Sequence, residues 1–107
     1  MTIQKISEEL QNTAISPGRL SELHISLAAE YAFISSRLSE ILKVEDKLWN
    51  AIREHVDTDT KATREWGSLQ EIINLKVYKQ ELKVIEKMMS SIRLRISTLS
   101  EEAHNQF

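Results

Sequence analysis

Leu75, Tyr78, Leu82, Ile85, Met89, Ile92, Ile96 and Leu99 recur at alternating steps of three and four. That alternation lays one stripe of an α-helix against a partner helix over about four heptads. The partner is within the chain. Leu20, Leu23, Leu27, Tyr31, Ile34, Leu38, Ile41, Val44, Leu48, Ile52 and Val56 carry an earlier helix of about ten turns without a breaker. With two glycines and one proline in 107 residues, the turns that a sheet protein needs at regular intervals are missing, so the sequence predicts an all-α chain.

Ile3, Ile6 and Leu10 repeat at helical spacing in an opening arm, residues 1–14, which Pro17 and Gly18 end. Below about 12 residues an isolated helix is marginal, so this arm must dock or fray. Ser16 before Pro17 reads as an N-cap with proline at the first helical position, where its missing N–H costs nothing. The first long helix is expected over 16–56. Asp57, Thr58, Asp59 and Thr60 then supply side chains that compete with helical backbone bonds and can cap the second long helix, expected over 61–102.

Two helices of similar length joined by a short turn fold back on each other. The expected fold is a single domain, an elongated, coiled-coil-like antiparallel helical hairpin with a short N-terminal helix. Facing positions then add up to about 117, which sets Leu48 beside Leu69, Ile41 beside Lys76, Ile34 beside Lys83 and Glu30 beside Lys87. Glu30 and Arg37 stand at seam positions, with Lys87 and Glu81 as their expected opposite numbers. Such a charge match would set register, unless the side chains snorkel to solvent.

The second long helix has more apolar surface than one partner can cover. Trp66, Ile73, Val77, Val84 and Met88 form a stripe displaced from the seam, widening the apolar arc to about 200° where an amphipathic helix needs about 100°. Either the N-terminal arm or a second copy of the chain must cover it; a short arm reaches only part of such a helix, so these five residues are the candidate oligomer interface. Trp49 and Trp66 both fall near the turn, where core filling is their expected role.

Charge is unevenly spread around a net −2: residues 61–95 carry eight Lys and Arg against four Glu, while the first half is acidic. Pairing of the two helices is the first consequence and an anionic partner the second. Lys76, Lys79, Lys83 and Lys87 lie within an arc of about 80° and span about 16 Å, a spacing that could follow a nucleic-acid backbone. They are the candidate nucleic-acid-binding residues.

Catalysis finds little support. His24, His55 and His104 are far apart, and Glu101 with His104 makes one Glu-x-x-His step where a di-iron bundle needs two and two further Glu. Ser35 with Ser36 and Ser90 with Ser91 read as close-packing positions, no base standing where it would activate them. The chain has no Cys, which removes disulfides and thiolate metal sites and suits a reducing cytoplasm. The two glycines leave no phosphate-cradling loop. No apolar run is long enough to span a bilayer, and Lys5, Glu8 and Glu9 interrupt any leader core. The expectation is a non-enzymatic, cytoplasmic protein with no cofactor, no metal and no membrane contact.

Lys61-Ala62-Thr63-Arg64-Glu65-Trp66-Gly67, continuing through Leu75-Lys76-Val77 and Ile85-Glu86-Lys87-Met88-Met89-Ser90-Ser91-Ile92-Arg93 to Glu102-Ala103-His104-Asn105-Gln106-Phe107, resembles a group of small helical proteins encoded by tailed bacteriophages. A more distant likeness is to the recombination mediators of T-even phages. The resemblance covers the half of the chain from Lys61 onward. It implies an oligomeric accessory protein of a phage, acting in the host bacterium's cytoplasm and binding single-stranded DNA or a DNA replication or recombination partner. A virion or assembly component and a small inhibitor of a host protein are the alternatives.

Overall fold

The computed structural model describes residues 2–105, with side chains described through Glu102. The described residues form four helices and no strand: α1 (Ile3–Leu10), α2 (Pro17–His55), α3 (Asp59–Ser68) and α4 (Gln70–Asn105). The chain is all-α, and α2 and α4 are its two long helices. Packing gathers it into two compact units. One holds the described residues up to Ala32 and those from Lys83 onward, and the other is Phe33–Leu82.

In the first unit, α1 begins where the Thr2 hydroxyl accepts from the Lys5 N–H at 3.2 Å. It is shorter than the expected arm over 1–14. Asn12 draws the chain out of the helix, its Oδ1 accepting from the Ala14 N–H at 3.0 Å, the local side-chain bond by which Asn competes with helical backbone. Ser16 caps α2 as expected, its Oγ accepting from the Arg19 N–H at 3.2 Å, with Pro17 at the first helical position. The arm docks. Ile6 is fully buried together with Leu20, Leu23, Leu27, Ile85 and Ile92, so α1, α2 and α4 all contribute to one core. Each such side chain contributes about 1.5–3 kcal/mol by leaving water. Tyr31 Oη donates to Glu86 Oε1 at 2.9 Å, in the register where facing positions add up to about 117.

In the second unit, Ile34, Ile52, Ala62, Ile72 and Leu75 are buried. Trp49 and Trp66 meet edge to face, with ring centroids 5.6 Å apart and planes at 85°, a favoured aromatic geometry. Thr58 caps α3 by accepting from the Lys61 N–H at 3.3 Å, so the polar cluster opens a helix as expected, starting at Asp59. The single helix expected over 61–102 is corrected: it breaks at Leu69, whose φ of −65° and ψ of 136° are extended. Two weak helix formers precede the break. Gly67 costs about 1 kcal/mol in a helix interior, and the Ser68 hydroxyl bonds back to the Glu65 carbonyl at 2.8 Å. The Leu69 carbonyl then starts α4 by accepting from Ile72 and Ile73.

Candidate interaction surfaces

Of the proposed apolar stripe, Ile73 and Val77 in the second unit are 42% and 47% exposed, and Val84 in the first unit is 37% exposed. Met88 is half-buried. Trp66 is half-buried against Trp49, the core-filling role expected of the two tryptophans near the turn. The arm leaves Val84 open. Its attachment lies elsewhere in the first unit, where Arg95 Nη2 donates to the Leu10 carbonyl at 2.6 Å and satisfies one of the orphan acceptors that end α1. Arg19 adds a two-pronged grip on Glu9 through Nε and through Nη2 at 2.8 Å, and its Nη1 reaches Glu22 at 2.9 Å. The Arg19 hydrogen bonds hold the Glu9 carboxyl below the ordinary glutamate range and raise Arg19 itself further. Tyr31 is pushed up, first by its hydrogen bond to Glu86 and then by that carboxylate's charge.

The four candidate lysines are exposed, Lys76 and Lys79 in the second unit, Lys83 and Lys87 in the first. No ion pair engages them among the described residues. Glu30 and Lys87 accordingly do not meet as an ion pair; the adjacent Tyr31 and Glu86 make the contact in their place. Arg37 is likewise not paired with Glu81. Its Cζ lies 5.1 Å from the centroid of the Phe33 ring, within cation–π range.

Several surface features escape sequence inspection. Phe33 is 57% exposed and Val44, which the apolar run places with the buried face, is 39% exposed. Their signal is that Phe33 lies off the seam and Val44 at its edge. A cavity of about 270 Å³ in the first unit is lined by Ile15, Leu20, Leu94, Arg95, Thr98 and Leu99, with Thr13 at its side. Nη1 of Arg95, a residue of the cavity lining, and His24 Nε2 on α2 are buried without a hydrogen-bond partner. Position 95, beside the seam residue Ile96, carries the only hint of this in the sequence.

His55 and Glu65 pair at 3.0 Å, the ring's other nitrogen lying 2.9 Å from the Ala51 carbonyl, and Arg53 binds Asp59 at 2.8 Å. These contacts tie the end of α2 to α3. Ser68 lines a pocket with His55 and Glu65, and its hydroxyl donates to the Glu65 carbonyl at 2.8 Å. The serine pairs are also corrected: Ser36, Ser90 and Ser91 are exposed, and only Ser35 is half-buried. No group of three or more His, Asp and Glu that could hold a metal occurs among the described residues, and the His104 side chain lies outside them. No described helix is long and apolar enough to cross a membrane. No family model, curated protein or solved structure matches the chain.

Proposed function

We propose that this chain is a non-enzymatic, oligomeric helical accessory protein of a bacteriophage, which works by docking helices of one copy on another and offering the assembled surface to a partner. The observation that carries the reading is the exposure of Ile73 and Val77 on α4: neighbouring β-branched side chains one turn apart, 42% and 47% open to water. A helix gains stability by burying such a pair, and exposed contiguous apolar surface marks an interaction site. The test is mass by light scattering. Ile73→Glu with Val77→Glu should give a smaller species with unchanged helical circular dichroism, whereas a wild-type chain that is monomeric at high micromolar concentration would overturn the reading.

A second reading, single-stranded DNA as the partner, is favoured by the exposed ammonium groups of Lys76, Lys79, Lys83 and Lys87, which no ion pair occupies among the described residues. Flexible lysines follow a phosphate backbone without demanding sequence.

A further inference from the structure

The outer face of α2 in the second unit has the same pattern in both directions. Phe33, Arg37, Glu40 and Val44 succeed one another at steps of four, three and four, all of them exposed. Eleven residues make three helical turns, so the four side chains stand in one line about 16 Å long. The ends of the line are apolar, Phe33 at 57% and Val44 at 39% exposure, and its centre carries one positive and one negative charge.

A two-fold axis crossing the helix midway between Leu38 and Ser39 would place Phe33 opposite Val44 of a second copy and Arg37 opposite its Glu40. In such a contact each pair occurs twice. Parallel packing in register would set Arg37 on Arg37 and Glu40 on Glu40, so the charges select the antiparallel arrangement. Arg37 is already oriented for it. Stacking on Phe33 at 5.1 Å holds the guanidinium against the line while leaving its N–H edges to donate, which lowers the side-chain entropy lost on docking. Neither Arg37 nor Glu40 has an ion-pair partner among the described residues.

We propose that this face of α2 is an antiparallel, two-fold docking surface for a second copy of the chain, with the Arg37–Glu40 pairs setting its direction and Phe33 and Val44 supplying the apolar contact. The proposal rests on the self-assembly reading above and adds a surface and a geometry to it.

Charge reversal tests it on the full chain by sedimentation equilibrium. Arg37→Glu alone, or Glu40→Arg alone, brings like charges together twice per dimer and should weaken self-association by about tenfold or more. An equimolar mixture of the two variants restores opposite charges at both contacts, as does the double variant Arg37→Glu with Glu40→Arg; both should return to near the wild-type constant. All these positions are exposed, and circular dichroism verifies that each variant folds. If the wild type self-associates but the single variants match it, or if the mixture associates no more tightly than its components, the α2 surface is wrong while self-assembly stands. A monomeric wild type overturns both.

Discussion

Arg19 and Glu9 add a titratable contact to the arm's docking, beside the buried Ile6 and the Arg95 bond to the Leu10 carbonyl. Because Arg19 hydrogen bonds hold Glu9 below the ordinary glutamate range, the folded protein binds this proton less readily than the unfolded chain. The contribution is therefore present above the ordinary glutamate range and is lost as pH falls through the lowered folded value. Acidification should loosen α1. Urea unfolding over a pH series should show the wild type losing stability in this acidic window and Glu9→Gln losing less, starting from a lower value at neutral pH; equal pH slopes for the two would refute the assignment. The bond of Tyr31 to Glu86 is a consequence of the hairpin register, since positions facing across an antiparallel pair are fixed by the turn. The Glu9–Arg19 grip is not. It depends on how residues 11–16 turn back, and Asn12, whose side-chain bond to the Ala14 N–H makes that turn, looks in sequence like any other polar residue.

Among the elements, the seam on α4 is legible because a step of three and four has one structural meaning, and Leu75, Ile85 and Ile92 are indeed buried. The break at Leu69 is not legible. Leucine is a strong helix former, and the weakness lies in the residues before it, Gly67 and Ser68, whose hydroxyl bonds back to the Glu65 carbonyl. The same locality gives a prediction of opposite sign to most substitutions. Gly67 lies within α3, has no positive φ, and a Cβ added there meets nothing within 4 Å. Gly67→Ala should accordingly stabilise the protein by about 0.5–1 kcal/mol through the reduced freedom of the unfolded chain, read as a raised urea midpoint with an unchanged slope. A lowered midpoint would mean that the break needs glycine's freedom. The candidate interface is only partly recoverable: helical projection places Ile73, Val77 and Val84 off the seam, but it cannot see that Trp66 belongs to a separate helix, α3, and meets Trp49.

At the scale of the whole molecule, the net charge of −2 argues against tight binding of a polyanion by one copy, while the lysines of α4 argue for local attraction. Assembly resolves the conflict. Several weakly binding lysine sets held in one oligomer act with a high effective concentration, so contacts that fail singly add through avidity. If DNA is the partner, labelled single-stranded oligonucleotides should bind with little sequence preference, and affinity should fall steeply with salt because each neutralised phosphate releases condensed counterions. Lys79→Glu in one unit and Lys83→Glu in the other should together abolish the anisotropy change while the oligomer's mass stays that of the wild type, since neither lysine is among the residues proposed for self-association. Weakening self-association through Arg37→Glu should reduce the same signal without touching any lysine. A wild type that produces no anisotropy change at low salt, although it oligomerises, would remove DNA and leave a protein as the partner that the assembled helices serve.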